Sequence, residues 1–332
     1  MKWLTDSWYN AHHRYLRLGL LPLSFLYQIV VVLRRLLYQL GIVKPYRSPI
    51  PIIVVGNITV GGSGKTPVVI WLAKQLQSAG FQPGIVSRGY GGQAKTYPQS
   101  VTPLSDPALV GDEPVIISQQ TRCPLVVDPH RVNAIQHLLE ITSCNVIISD
   151  DGLQHYAMDR DIEIAVIDGM RGFGNRYCLP AGPLREPITR LTTVDYIITN
   201  GGEKAAHSYH MTLLPGEVIN VADNSVKKPL SDFIKEECVH AIAGIGHPER
   251  FYRYLIEQGL QIQSHFFIDH HPFKAIDLHF DDNAPIIMTE KDAIKCRHFA
   301  TDNMWYIPVT AKIDDQLAQH ISSQLAEIIS HG

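Results

Sequence analysis

The chain has 332 residues, of which 45% are hydrophobic and 18% charged, and its formal net charge is -3. This length suits two domains of ordinary size, and the composition excludes a disordered or low-complexity chain. The small negative charge argues against a general nucleic-acid binder, which would carry a basic excess. The five cysteines are widely spaced, with no C-x-x-C pair, and predict neither a zinc site nor a disulfide framework.

The first predicted element is an apolar helix near the N-terminus. Residues 18–33 are uncharged, with arginines on both sides. This run is short of the about 20 apolar residues that a spanning helix needs, and Pro22 interrupts it. We predict a membrane-associating segment over residues 1–48 that lies on the surface; a spanning helix and a helix packed in a core or an oligomer are the alternatives. A signal peptide fits poorly, because no small-residue cleavage site precedes Lys44-Pro45.

Residues 49–222 alternate apolar runs with helical patterns, which predicts an α/β fold with a parallel sheet. The runs are continuously apolar, as expected of strands buried on both faces. Apolar residues at helical spacing predict helices over residues 66–78 and 131–140. Strands are predicted at residues 52–55, 84–87, 125–127, 146–149, 162–167 and 196–198.

A glycine-rich turn follows the first of these strands and precedes a helix. Such a turn points backbone N–H groups at phosphate oxygens. Lys65 is predicted to hold the β- and γ-phosphates of a nucleotide, and Thr66 to bind Mg²⁺. Two departures from common patterns are visible: Thr59 replaces the first glycine, and Val60 stands where some switch ATPases carry a second lysine. The predicted nucleotide site consists of Thr59, Val60, Gly61, Gly62, Ser63, Gly64, Lys65 and Thr66.

The nucleotide is predicted to be ATP, because the guanine-reading N-K-x-D pattern is absent after the strand at residues 196–198. Asp150 and Asp151 follow the strand at residues 146–149, at the sheet edge that the glycine-rich turn also faces. They are predicted Mg²⁺ ligands. Only one of two adjacent side chains is expected to face the metal, and a solvated turn is the alternative.

Charged residues in three further loops complete the predicted site. Arg88 is predicted to clamp a phosphate, and Asp112 to accept a proton from an attacking hydroxyl. The alternatives are an ordinary surface arginine and a helix N-cap. Residues 169–187 are rich in glycine and proline, and their Arg171 and Arg185 are predicted to meet the acceptor's phosphate. Glu113 is grouped with these substrate-contacting residues.

A polar stretch at residues 224–237 predicts a domain boundary, with a smaller α/β domain over residues 223–332. Strands are predicted at residues 239–243 and 285–288 and near 265–267, and helices at residues 249–258 and 314–329. His270 and His271 have no pattern of their own that assigns them a role.

Together these motifs closely resemble the tetraacyldisaccharide 4'-kinase family. The match covers nearly the whole chain, and no single motif would carry it. Besides the N-terminal helix it includes Val60-Gly61-Gly62-Ser63-Gly64-Lys65-Thr66, Ser87-Arg88-Gly89-Tyr90-Gly91, Gly111-Asp112-Glu113-Pro114, Asp150-Asp151-Gly152-Leu153-Gln154-His155, Ala181-Gly182-Pro183-Leu184-Arg185-Glu186 and Met288-Thr289-Glu290-Lys291-Asp292.

The resemblance implies an ATP- and Mg²⁺-dependent kinase that phosphorylates the 4'-hydroxyl of a tetraacyldisaccharide 1-phosphate. It also implies work at the cytoplasmic face of the bacterial inner membrane, with the membrane lipid surface and the lipid-linked disaccharide as partners and no obligate protein partner. A catalytic pairing of Asp112 with His270 is implied in the same way, although the adjacent His271 leaves the choice of imidazole open. Acyl-chain preference and oligomeric state are not implied.

Two other functions fit parts of the sequence. A membrane-recruited P-loop switch ATPase would transfer phosphate only to water, and the Gly-Gly turn permits it. The absence of a second lysine at Val60 argues against that reading. A soluble small-molecule kinase would use the N-terminal helix only for packing in a dimer.

Overall fold

A computed structural model describes residues 2–9, 14–205 and 207–331. Its contacts divide the chain into two compact units: one holds the residues up to Arg88, Asp128–Thr212 and the chain from Lys312, and the other holds Gly89–Val127 and Leu213–Ala311. This division differs from the one predicted from the sequence, which places boundaries after residues 48 and 222. The N-terminal helices belong to the first unit, and residues 89–127 join the second. Because the chain passes between the units four times, no single linker marks the boundary in the sequence.

The first unit is built on a parallel sheet, as the apolar runs predict. Adjacent strands in the list below are hydrogen-bonded and parallel. The central strand, Ile52–Gly56, is buried along its whole length, which agrees with its unbroken run of apolar residues. Across the sheet the strands run in the order Tyr209–Pro215, Tyr196–Asn200, Ile162–Asp168, Ile52–Gly56, Val146–Asp150 and Pro83–Ser87.

Helices cover this sheet. Lys65–Ser78 contacts both Ile52–Gly56 and Val146–Asp150, and Arg131–Ile141 contacts Pro83–Ser87. Asp315–His331 packs against the first of these helices. Helix Lys65–Ser78 leaves the sheet at the carboxyl end of the central strand, where parallel sheets bind ligands.

Two helices precede the sheet, Lys2–Tyr9 and Arg14–Gln39. The second continues through Pro22 and is longer than the apolar run that predicted it. Its segment Arg17–Gln39 is, among the described residues, the one helix long and apolar enough to cross a membrane, with a hydropathy of 1.7 and 6% of its most apolar window buried.

The N-terminal helices are attached to the glycine- and proline-rich loop of residues 169–187. The Trp8 indole donates to the Pro180 carbonyl at 3.0 Å, Ser24 Oγ donates to the Cys178 carbonyl at 2.6 Å, and Tyr27 Oη donates to the Arg185 carbonyl at 3.1 Å. Three side chains from two helices therefore fix one loop.

The second unit contains a mixed six-stranded sheet. Its last four strands in the order below are parallel, and the first two add antiparallel pairs at one edge. The order is Lys227–Lys228, Val218–Asn220, Met304–Ile307, Ile286–Thr289, Val239–Ala243 and Ile262–Phe266.

The remaining elements of the second unit are short. Gln99–Val101 and Leu125–Val127 pair antiparallel. The strand Val309–Ile313 carries the chain back to the first unit. Helices are Pro107–Val110, Asp112–Thr121, Pro248–Glu257 and Glu290–Cys296; 3-10 turns in the chain are Ile188–Thr193, Leu230–Lys235, Ala275–Leu278 and Arg297–Phe299.

Candidate active site

Two buried side-chain amides donate hydrogen bonds to backbone carbonyls of the predicted nucleotide-binding turn. Asn57 Nδ2 donates to the Gly61 carbonyl at 3.3 Å, and Asn200 Nδ2 donates to the Ser63 carbonyl at 3.1 Å. Gly64 has φ 92°, and a Cβ there would lie 2.5 Å from Asn200 Nδ2. Only glycine fits this position without strain, and the helix starts at the next residue.

The first residues of the predicted site have a different task. Thr59 forms an isolated antiparallel bridge with Leu184, and the Val60 amide donates to the Pro183 carbonyl at 2.8 Å. An extended residue needs no glycine, which explains why Thr59 can replace the first glycine of the common pattern. The Val60 amide is already bonded, so it is not available to the phosphates of the predicted nucleotide.

Lys65 and Asp151 lie together at the carboxyl edge of the sheet. Lys65 Nζ is 3.5 Å from Asp151 Oδ1, and Arg185 Nη1 is 3.0 Å from Asp151 Oδ2. Burial alone would raise the pKa of Asp151, but the charges of Lys65 and Arg185 hold that pKa well below its usual range. The carboxylate is therefore ionised at neutral pH.

Asp150 has different partners from its neighbour, as expected of adjacent side chains. It is 2% exposed, and its Oδ2 accepts from Ser87 Oγ at 2.9 Å. Its carbonyl accepts from the buried Arg131 at 3.1 Å. Thr66 lies in the first turn of the helix that begins at Lys65. The hydroxyl and the two carboxylates are hard oxygen donors of the kind that Mg²⁺ prefers.

The two arginines predicted to meet the acceptor's phosphate have defined neighbours. Arg185 pairs with Asp151, as above. The Arg171 guanidinium stacks over the Tyr9 ring at 3.9 Å, and a Cβ at Gly61 would lie 3.3 Å from Arg171 Nη1. Arg171, Tyr9 and Gly61 line a small cleft at the glycine-rich turn, together with Asp168. Both arginines thus lie beside the predicted nucleotide-binding residues.

Arg88 is exposed at the end of strand Pro83–Ser87. Its effect on neighbours is electrostatic: burial, then the charges of Arg131 and Arg88, lower the pKa of His155 to about 4. Burial also lowers the pKa of Arg131 to about 10, with a smaller effect from Arg88 in the same direction. Arg88 and Arg131 thus place two positive charges near His155.

In the second unit, Asp112 and His270 form a hydrogen bond. Asp112 is 4% exposed and begins the helix Asp112–Thr121, and His270 Nδ1 is 3.1 Å from its Oδ2. The Glu113 amide donates to the other oxygen at 2.8 Å. Burial acts to raise the pKa of Asp112, but the bond from His270 and the charge of Lys291 lower it overall. The bond to Asp112 raises the pKa of His270 against the effect of burial.

The two neighbouring histidines are distinguished by their contacts. His271 Nε2 is 3.1 Å from Asp277 Oδ2, while the edge of the Tyr90 ring packs on His270 with ring centres 5.0 Å apart. His270 is therefore the imidazole that contacts Asp112.

Glu113, predicted to contact substrate, is paired with a lysine. Lys291 Nζ lies 2.9 Å from Glu113 Oε1 and 3.4 Å from His270 Nε2. Asp112, Glu113 and His270 offer three ligand atoms within 4.8 Å of one another, but the cation that Glu113 and His270 contact is this ammonium.

Sequence reasoning missed two of these residues. Asn200 served only to exclude a guanine-reading motif, although its place at the end of a predicted strand was a usable signal. Lys291 lies in the motif Met288 to Asp292, which carried the family resemblance without a role. Its partner Glu113 is 178 positions away, so no local pattern identified the pair.

Comparison with known proteins gives a consistent result. The family model "Tetraacyldisaccharide-1-P 4'-kinase" matches residues 16–326. The chain is 49% identical to a tetraacyldisaccharide 4'-kinase of Nitrosococcus oceani over 96% of this chain and 93% of that relative. It is 47% identical to the one of Methylobacillus flagellatus over 99% and 97%, respectively. The crystal structure of the "apo" form of LpxK from Aquifex aeolicus in complex with ATP superposes with a TM-score of 0.78 at 28% identity, covering 93% of this chain and 99% of that one. The chain belongs to the tetraacyldisaccharide-1-P 4'-kinase family.

Proposed function

We propose that this protein transfers the γ-phosphate of ATP to the 4'-hydroxyl of a tetraacyldisaccharide 1-phosphate. The observation that carries the proposal is the buried Asp112 carboxylate, hydrogen-bonded to His270, in a chain that also has a nucleotide turn. An alcohol is a poor nucleophile until its proton is accepted, and a positioned carboxylate–imidazole pair supplies that function.

The glycine-rich turn holds the nucleotide in this proposal. Backbone amides of Gly61, Gly62, Ser63 and Gly64 and the start of the helix face the phosphates, and Lys65 neutralises the β- and γ-phosphates. Arg171 adds a second positive charge beside Gly61. Binding of ATP agrees with the ATP complex of the related LpxK structure.

Thr66, Asp150 and Asp151 are the residues that would hold Mg²⁺. The metal would supply charge neutralisation on the transferring phosphate. Asp151 is ionised and accessible, with its side chain 30% exposed, and is the stronger candidate of the two acids. In the free protein, Lys65 and Arg185 balance its charge.

The Asp112–His270 pair takes up the proton of the substrate's 4'-hydroxyl. The 4'-O–H bond breaks as the new P–O bond forms, the bond to the bridging oxygen of ADP breaks, and the proton stays on the pair. The coupled pair titrates as a unit. Arg88 stabilises the charge of the transferring phosphate, and Arg171, Arg185 and Glu113 remain the residues proposed to orient the acceptor.

The N-terminal helix positions the enzyme at the cytoplasmic face of the inner membrane. Its exposed side chains include Phe25, Leu26 and Ile29, which are 67%, 59% and 50% exposed. An apolar face of this size would lie in the interface with lipid, where a lipid-linked acceptor resides.

The test is a product assay. The purified protein is incubated with Mg-ATP and the tetraacyldisaccharide 1-phosphate in detergent, and mass spectrometry follows the lipid. We expect one added phosphate per ATP consumed. ATP hydrolysis without a phosphorylated lipid would favour the switch ATPase, and phosphorylation of soluble sugars alone would favour a soluble kinase.

A further inference from the structure

The C-terminal end of the first helix, Lys2–Tyr9, packs closely on the glycine- and proline-rich loop of residues 169–187. The Trp8 carbonyl accepts from the Asn175 amide at 2.9 Å. A Cβ at Gly174 would lie 2.9 Å from the same carbonyl oxygen and 3.1 Å from Tyr9 Cε1, so only glycine leaves room for the helix end. Lipid binding by the exposed face of the second helix does not account for these contacts.

Tyr9 connects this helix end to the predicted nucleotide-binding turn through one arginine. The Arg171 guanidinium lies over the Tyr9 ring, 3.9 Å from the ring centre. Its Nη1 is 3.3 Å from the position that a Cβ at Gly61 would occupy. Tyr9, Arg171 and the turn residues 59–63 line one small cleft, and all of them belong to the first compact unit. The N-terminal helix is therefore part of the wall of the nucleotide cleft.

The charge of Arg171 is not neutralised by a carboxylate. Among the ion pairs of the described residues none includes Arg171, whereas Arg185 of the same loop is paired with Asp151 at 3.0 Å. Asp168 lines the cleft, but its Oδ1 accepts from the backbone amides of Met170 and Arg171 at 2.9 and 3.2 Å. Arginine presents planar pairs of N–H donors that match phosphate oxygens. The anion that this cleft suits is therefore a phosphate group.

We propose that Tyr9 is a positioning residue of the nucleotide site, because its ring holds the Arg171 guanidinium beside the glycine-rich turn, where the guanidinium binds a phosphate of ATP. The inference rests on the proposed function, which allows Arg171 to meet a phosphate of either the nucleotide or the acceptor. The turn residues that line the cleft favour the nucleotide. The N-terminal segment then completes the nucleotide site in addition to binding lipid.

A stacked ring can orient a guanidinium without using its hydrogen-bond donors. The ring contacts the flat face of the guanidinium, and the N–H groups point outward from its edge. Burial raises the pKa of the Tyr9 hydroxyl; the charge of Arg171 opposes this effect, and that of Asp168 adds to it. Tyr9 is therefore a neutral phenol at neutral pH, and its ring face is the part that attracts the cation.

Equilibrium binding of Mg-ATP to the full-length protein in detergent tests the proposal without the lipid acceptor. Tyr9→Leu should raise the Kd by about 3- to 10-fold, because it removes a cation–π contact, and Tyr9→Phe should stay within about twofold of native. Arg171→Met should raise the Kd by about tenfold or more, because it removes a charged contact to phosphate. Adding Tyr9→Leu to Arg171→Met should weaken binding no further, since Tyr9 acts through Arg171.

Two matched variants control for the loss of a ring or a charge elsewhere. Tyr15→Leu removes a tyrosine that is 88% exposed on the second helix, and Arg176→Met removes an exposed arginine of the same loop. Both should bind Mg-ATP within about twofold of native. If the effects of Tyr9→Leu and Arg171→Met simply added, the two residues would act separately and the proposal would be wrong.

Steady-state kinetics distinguishes a positioning role from a general loss of structure. In Tyr9→Leu the KM for ATP should rise with the Kd, while kcat at saturating ATP falls by less than about threefold and the KM for the lipid acceptor stays within about twofold of native. A raised KM for the acceptor with an unchanged Kd for Mg-ATP would assign Arg171 to the acceptor's phosphate and contradict the inference.

A second measurement leaves Tyr9 unaltered and decides the question if Tyr9→Leu does not fold. In protein labelled with ¹⁵N-arginine, the Arg171 side-chain signals are those that Arg171→Met lacks. The ring current of Tyr9 should shift these proton signals upfield in the free protein, and Mg-ATP should shift them again. Signals at the position typical of exposed arginines, or signals that Mg-ATP leaves unchanged, would overturn the proposal.

These results separate the inference from the proposed function. Mg-ATP binding that depends on Tyr9 and Arg171, without a phosphorylated lipid, would refute the proposed function alone. Normal lipid phosphorylation by the native protein, with the Kd for Mg-ATP unchanged in Arg171→Met, would refute this inference alone.

Discussion

Two residues with proposed chemical roles have backbone conformations that side-chain-bearing residues rarely adopt: Asp151 has φ 49° and His270 has φ 59°. Such a conformation costs on the order of 1–3 kcal/mol and persists where the surroundings hold it. Asp151 is held by Lys65 and Arg185, and His270 by Asp112 and Lys291. The charged partners therefore hold both residues in a strained backbone conformation, and this fixes where their side chains lie.

Replacing Asp112 tests the proton acceptor. Asp112→Asn keeps the shape but cannot accept a proton, so kcat should fall by about 10²–10⁴-fold while the KM for ATP changes little. Because the carboxylate raises the pKa of His270, the acidic limb of the residual activity should move to lower pH. A kcat within threefold of native, measured across the pH range, would contradict this role.

The same pair predicts how stability depends on pH. The folded-state pKa of His270 is raised above its ordinary value of about 6.5, so the stabilisation is complete below that pH and is lost as pH rises through the raised pKa. Thermal unfolding of the native protein should therefore show a loss of stability over this interval that Asp112→Asn lacks. Parallel curves for the two proteins would show that the pair is not coupled to folding.

At the scale of elements, a buried ion network joins the strand Ile162–Asp168 to the 3-10 turn Ile188–Thr193. Arg190 is 2% exposed and pairs with both Glu163 and Glu186, and Tyr156 Oη donates to Glu186 at 2.6 Å. Glu186 follows Arg185, so the network also fixes the residue that contacts Asp151.

Arg190→Met should lower the free energy of unfolding by about 3–5 kcal/mol, because it leaves the buried Glu186 carboxylate without its cation, whereas Glu163 keeps Arg160. The control is Arg47→Met, which removes an arginine whose side chain is 61% exposed and pairs with Asp159 and Asp161. That change should cost less than about 1 kcal/mol. Urea denaturation measures both, and equal losses would contradict the importance of burial.

The long N-terminal helix predicts lipid binding through one face. Phe25→Glu combined with Ile29→Glu should weaken co-sedimentation with anionic lipid vesicles at least tenfold, because two exposed apolar side chains lose favourable contact with lipid. Gln39→Glu adds one charge at the end of the same helix and should have little effect. Undiminished vesicle binding by the double variant would instead support the packing role considered for a soluble kinase.

For the whole molecule, local patterns predicted the elements better than their association. The strand Ile52–Gly56, the turn and the helix Lys65–Ser78 follow from apolar runs, glycines and periodicity, and the structure confirms the α/β fold. Pro22 was expected to interrupt a helix that continues through it, since surrounding apolar residues favour the helix over its one lost hydrogen bond.

What no local pattern contained is contact between distant residues. The grouping of residues 89–127 with residues 213–311 depends on tertiary packing, and so does the approach of Lys291 to Glu113. Arg185 was predicted from its loop's composition, but its pairing with Asp151 depends on how that loop folds back. The resemblance supplied the Asp112–His270 pairing, which spacing alone could not.

The central claim is phosphoryl transfer from ATP to the lipid disaccharide, and the ratio of phosphorylated lipid to ADP tests it most directly. The native protein should form one monophosphorylated product for each ADP, with the new phosphate on the 4'-oxygen by tandem mass spectrometry. Lys65→Ala and Asp112→Asn should each reduce both products together. ADP formed without phosphorylated lipid, or a phosphate on another oxygen, would contradict the account.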